Sequence, residues 1–143
     1  MNTLFLAHLG ATLAMVGLIW VVQLVHYPLF AQVGADTFGA YHTAHTRQIT
    51  WIVAPTMGIE LVTGGALVAV PPSGVPSAAL WLGFALLLVV WGSTALIQMP
   101  LHARLARGFD MLLIERLVAT NWLRTLAWSA RAALVLWMTG RML

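Results

Sequence analysis

Hydrophobic residues fill four long runs of this chain, at about 4–25, 49–70, 78–99 and 117–138, and most polar residues fall between them. Each run has the roughly 20 residues that an α-helix needs to cross the hydrocarbon core of a bilayer. The first run ends at His26-Tyr27-Pro28 and the second at the Pro71-Pro72-Ser73-Gly74 turn, so Pro and Gly mark two of the three connections. The first connection is long. Asp36 is placed to cap a helix there, and residues Thr37 to Gln48 either form an interfacial helix or extend the second span by several turns. The third connection reads as helical with a break near Gly108-Phe109-Asp110. No internal repeat stands out. The pattern predicts an all-α integral membrane protein. It is a four-transmembrane-helix bundle in one membrane domain, residues 1–143, with an interfacial helix as an option in the first connection.

Composition agrees with that pattern. The chain has 143 residues, 61% of them hydrophobic and 8% charged, against about 25% charged in a soluble domain. There is no cysteine, which excludes disulfides, thiolate chemistry and Cys-ligated zinc or iron–sulfur sites. The N-terminal run is long and lacks a basic flank, so it reads as a first transmembrane helix and not as a cleaved signal peptide. The formal net charge is +3, and no basic run is interleaved with aromatics, so nucleic acid is not an expected partner. Arg47, Arg104, Arg107 and Arg116 lie in the first and third connections, with Arg124 nearby, whereas Arg141 alone marks the other side. The positive-inside rule then puts those connections in the cytoplasm and both termini outside, in a cytoplasmic (inner) membrane. Trp51, Trp81, Trp122 and Trp137 fall near span ends, where interfacial Trp belongs.

This topology sorts the five histidines. Span one delivers Gln23, His26 and Tyr27 to the cytoplasmic end, and the first connection carries His42 and His45 at i, i+3. Span three delivers Gln98 and His102, with Pro100 between them placed to distort the helix. Asn121 and Arg124 begin span four at the same level. His26, His42, His45 and His102 are therefore expected to converge as metal ligands, with Gln23, Tyr27 and Gln98 behind them. Four imidazoles with almost no carboxylate suit copper, zinc or iron, or haem, better than calcium or magnesium. The bland alternative is four interfacial histidines bonded to carbonyls and headgroups. His8 is left alone near the opposite face.

Glu60 and Arg131 fall at matching depth in spans two and four. An unpaired charge there costs several kcal/mol, so the two are expected to pair. The pair is either a structural ion pair that fixes helix register, a proton relay through Glu60, or part of an anion-recognition site of the arginines, whose planar forks suit carboxylate-bearing ligands. Asn121, Arg124, Trp128 and Arg131 share one helical face, and Thr56 and Thr63 flank Glu60. Methionines and glycines read as packing. No hydrolase or phosphate-loop motif is present.

Four places carry a family resemblance. They are His8 with Trp20 in the first span, and the stretch Arg47-Gln48-Ile49-Thr50-Trp51-Ile52-Val53-Ala54-Pro55-Thr56-Met57 leading into the second. The others are the basic tail His102-Ala103-Arg104-Leu105-Ala106-Arg107, and Asn121 at the start of the last span. In these the chain resembles the HemJ-type protoporphyrinogen oxidases, small four-helix membrane enzymes of haem synthesis. The resemblance implies haem b, with His8 as its ligand. The chain departs from that family in having no Lys, where the family uses one in its third helix. The resemblance and the topology thus point to different histidines.

Three functions stay open on sequence alone. The first is a membrane oxidoreductase that holds haem or a His-ligated metal near the cytoplasmic end, uses Glu60 and Arg131 for protons or positioning, and takes a lipophilic substrate from the bilayer. The second is a non-catalytic subunit of a larger membrane complex. The third is a homo-oligomeric carrier gated by the Glu60–Arg131 pair.

Overall fold

The computed structural model describes residues 3–142, and they form four long helices and no strand. Helix α1 runs Thr3–Gln32, α2 Ala35–Ala69, α3 Ser77–Leu105 and α4 Met111–Met142. Three of them, α1, α2 and α3, are long and apolar enough to cross a membrane. Helix α4 is equally long, but Asn121, Arg124 and Arg131 sit within its central turns. All three are buried, so these central polar residues face the bundle and not its surroundings.

The helices reach further than the apolar runs. Helix α1 does not stop at His26-Tyr27-Pro28 but continues to Gln32. Residues Thr37 to Gln48 belong to α2, so the first connection holds an extension of the second helix rather than a separate interfacial one. The reason lies in burial. His42 and His45 are polar, yet they face inward together with Phe38, so the helix gains by continuing. Asp36 does not cap α2. Gly34 takes the cap position, and the Thr37 hydroxyl donates to the Gly34 carbonyl at 3.1 Å. Asp110 does cap α4, its carboxylate accepting from the Leu113 N–H at 3.1 Å. The turn at Gly74 needs glycine twice. Its φ is +82°, and a Cβ there would meet the Arg141 carbonyl oxygen at 2.9 Å.

Two helices contain a widened, π-helical turn. Val22–His26 and Thr94–Gln98 carry i+5 to i bonds, from Tyr27 N–H to the Val22 carbonyl and from Met99 N–H to the Thr94 carbonyl. Each widened turn ends just before a proline, Pro28 or Pro100. A proline has no N–H, and its ring would strike the carbonyl four residues back. Opening the turn relieves that clash without ending the helix. Such turns recur at functional sites, and both of these lie next to the histidines.

The two widened turns reveal an internal relation that the sequence pattern hides. Pro28 and Pro100 are 72 residues apart, as are the turns before them, and Glu60 and Arg131 are 71 apart. Helix α1 packs on α2 and α4, and α3 packs on α4 and α2. The hairpins α1–α2 and α3–α4 thus carry matching features at a common spacing. Met57, Glu60, Gly64 and Leu67 of α2 match Trp128, Arg131, Val135 and Met138 of α4, and all eight are buried.

The apolar core has two parts. The larger one, at the histidine end, includes Met15, Ile19, Phe30, Leu105, Leu117 and Trp128. The smaller one, at the end of the Gly74 turn, is built on Phe5, Leu67, Leu80, Val135 and Met138. Trp51, Trp81, Trp122 and Trp137 all point outward, whereas Trp128 is fully buried.

Candidate functional site

The buried polar side chains form two clusters that meet at Trp128. The deeper cluster centres on the expected ion pair. Arg131 Nη1 lies 2.9 Å from Glu60 Oε1. Thr12 donates to the same oxygen at 3.0 Å, and Trp128 Nε1 donates to Glu60 Oε2 at 3.0 Å. His8 is not isolated, contrary to expectation. Arg131 Nη2 donates to His8 Nε2 at 3.3 Å, and His8 Nδ1 meets the Thr63 hydroxyl at 2.8 Å. The Thr63 hydroxyl proton goes to the Ile59 carbonyl at 2.6 Å, so His8 Nδ1 is the donor. The network thereby fixes one tautomer, and both ring nitrogens of His8 are engaged. Gly64 makes room for this ring, since a Cβ there would lie 3.2 Å from His8 Cε1. Thr56 takes no part and bonds only the Ile52 carbonyl.

The second cluster gathers the other four histidines. His26 Nε2 and His45 Nδ1 are 2.6 Å apart, and His42 Nε2 and His102 Nδ1 are 2.9 Å apart. Each contact needs one bare ring nitrogen facing an N–H. Tyr27 Oη meets His102 Nε2 at 2.9 Å. Two ring nitrogens are buried without a partner, His42 Nδ1 and His45 Nε2. The rings of Phe30 and Phe38 pack around the histidines, with centroids 5.1 Å from His45 and 5.6 Å from His42 respectively. The widened turn of α1 and the N-terminal extension of α2 thus bring donors from two helices together, and α3 contributes His102.

The remaining expected residues stand one step away. Gln23 touches no histidine. Its amide oxygen accepts from Asn121 Nδ2 at 2.9 Å and Thr125 Oγ1 at 3.1 Å, and its Nε2 donates to the Val118 carbonyl. Gln98 also touches none. It accepts from Ser93 at 2.9 Å and donates to Thr120 at 3.3 Å, which ties the widened turn of α3 to α4. Arg124 Nη1 donates to Asn121 Oδ1 at 3.3 Å, and its guanidinium lies 5.2 Å from the centre of the Trp128 ring. Arg124 also interacts with the Tyr27 hydroxyl, so through Arg124 and Trp128 the two clusters form one polar thread from His102 and Tyr27 to His8.

Sequence reasoning did not single out Thr12, Phe30 or Phe38 as members of the site. A signal existed for each. Thr12 follows His8 by four residues, Phe30 follows His26 by four, and Phe38 precedes His42 by four, the spacing of neighbours on one helical face.

A cavity of about 240 Å³ adjoins the histidines. Its polar end is made by Tyr27, His45, His102 and Arg124, and apolar residues such as Met15 and Ile19 form its walls. Thr50 and Met99 lie on its rim and are exposed, Met99 at 62%. The cavity therefore opens sideways, between α2 and α3.

No protein-family profile, no curated protein and no solved structure matches this chain. The site has to be read from its own chemistry.

Among the described residues, no three His, Asp or Glu side chains already converge on one point as metal ligands. By donor type the group suits a transition metal. An imidazole bound at ~2.1 Å puts its ring centre ~3 Å from the ion, so three rings around one tetrahedral or trigonal ion lie roughly 4.5–5.5 Å apart. His42 and His102 already have that spacing at 5.1 Å, whereas His45 stands 6.4 and 6.0 Å from them and would have to move inward to share an ion. Haem suits the site less well. The cavity is smaller than the ~300–1,000 Å³ of a typical ligand pocket, and His8 has no ring nitrogen to spare.

Proposed function

We propose that this is a small four-span membrane protein of oxidoreductase type. It holds a His-ligated transition metal at the end of the bundle where His26, His42, His45 and His102 meet. The exposed Arg47, Arg104, Arg107 and Arg116 surround that end, which supports a cytoplasmic placement with both termini outside. The observation that carries the reading is the pair of buried, unpartnered ring nitrogens, His42 Nδ1 and His45 Nε2, inside a group of four imidazoles. A buried polar atom without a partner costs about 1–3 kcal/mol, and ligation would remove that cost. His42 and His45 would bind first through their free nitrogens, and His26 turning from His45 and His102 releasing its Nδ1 from His42 would complete the set.

A copper or iron ion there would supply one-electron chemistry, and zinc would supply Lewis acidity. The protein's own groups do the rest. Tyr27 holds the His102 ring through Nε2, fixing its orientation as second-shell partners do. Phe30 and Phe38 keep water from the rings. Glu60 and Arg131 lock the register of α2 against α4 at the centre of the bundle.

The test is metal analysis with an absorption spectrum of the detergent-purified protein. A stoichiometric transition metal is expected, and it should be lost when His42 and His45 are both changed to Ala. A colourless, metal-free monomer would overturn the proposal. Purification with stoichiometric partner proteins and no metal would favour a structural subunit instead.

A further inference from the structure

Arg124 is only 5% exposed and has no acidic partner. The one ion pair among the described residues joins Glu60 to Arg131, so the nearest buried carboxylate is already taken. What Arg124 has instead is the Asn121 side-chain oxygen, the neutral Tyr27 hydroxyl and the face of Trp128. Its Nε is buried with no partner at all. A buried cation without a counter-ion is costly, and this one lines the apolar cavity. The same cavity end carries Tyr27 and His102, which bond each other, so Arg124 is the cation there with an unpaired donor.

We infer that the cavity binds a single-chain or single-ring lipophilic carboxylate, whose headgroup is the missing counter-ion of Arg124. Guanidinium is suited to this role because its fork matches a carboxylate. Away from that end the walls are mostly apolar, from Met15, Ile19, Val22 and Val53 to Met99. The rim at Thr50 and Met99 admits a molecule sideways. A volume of about 240 Å³ accepts one ring or part of one chain, not a two-tailed lipid. The inference rests on Arg124 and the cavity alone, and it holds whether or not the histidines carry an ion.

Equilibrium dialysis of labelled laurate against the full-length protein in a neutral maltoside detergent tests it. Dodecanol, with the same tail and no charge, is the first comparison, and dilauroyl phosphatidic acid, an anion on two tails, is the second. Laurate should bind saturably and at least about tenfold more tightly than dodecanol, as expected for a buried charge pair. Arg124→Gln should abolish that preference, and Arg124→Lys should keep most of it. Met99→Trp should block laurate by filling the rim while leaving Arg124 and the metal content untouched. It keeps the test decisive if Arg124→Gln fails to fold. Equal binding of laurate and dodecanol would overturn the proposal, as would laurate binding that survives both Arg124→Gln and Met99→Trp. Displacement of laurate by equimolar phosphatidic acid would overturn the assignment to a single-chain ligand.

Discussion

The residue whose loss says most is Glu60. It is fully buried and receives Arg131, Thr12 and Trp128. Glu60→Gln leaves Arg131 charged and without its counter-ion, so a loss of about 3–5 kcal/mol is expected. The same change in an Arg131→Met background removes no charge pair and should cost much less. Unfolding of the four proteins of that cycle in detergent measures the coupling, and strictly additive losses would deny the contact. This pair was legible in the sequence because charges within apolar runs are few and their depths can be counted. The role of His8 was not legible in the same way. Depth put it near the far face, whereas its ring reaches Thr63 and Arg131 through the gap left by Gly64. The convergence of His26, His42, His45 and His102 followed from topology. How their nitrogens pair depends on side-chain torsions, which no spacing rule contains.

At the level of the helix, the apolar runs gave the number and order of the elements, and their true ends lay elsewhere. Helices α2 and α4 begin well before their apolar runs because buried residues continue the inward face, the polar His42 and His45 in α2 and the apolar Leu113 and Ile114 in α4. The prolines behave in two ways. Pro55 sits within α2, which stays α-helical around it, whereas Pro28 and Pro100 each follow a widened turn. Changing Pro55 to Ala restores an N–H and removes a clash in a helix interior, so it should stabilise the protein by up to about 3 kcal/mol. Pro100→Ala should behave differently. With an N–H at position 100 the turn at Thr94–Gln98 is free to tighten, which rotates His102 away from His42 and Tyr27. Helix content by circular dichroism should stay constant while metal affinity falls at least about tenfold, the usual effect of disturbing a ligand's supports. Unchanged metal affinity in Pro100→Ala would show that the widened turn does not set the site.

The whole molecule reads as two hairpins joined by the Gly74 turn, each carrying half of the central ion pair. The hairpin α1–α2 buries Glu60 and the hairpin α3–α4 buries Arg131. Alone in a bilayer, either hairpin would expose one unpaired charge near its middle, at a cost of several kcal/mol. Together they cancel it, and Thr12, Trp128 and His8 complete the bonding. The two halves should therefore fold as partners when made as separate chains divided between Pro72 and Ser73, since helices inserted independently can assemble afterwards. A tag on the first half should recover the second in equal amount from detergent, and laurate binding should return with it, because the cavity needs α1, α2, α3 and Arg124 of α4. Arg131→Met in the second half should reduce recovery of the pair, and Glu60→Gln added in the first half should restore much of it, because no charge is then left stranded. Halves that purify only with themselves would argue against the buried pair as the link between them. Recovery that ignores both substitutions would mean that apolar packing, and not the buried charge, joins the halves.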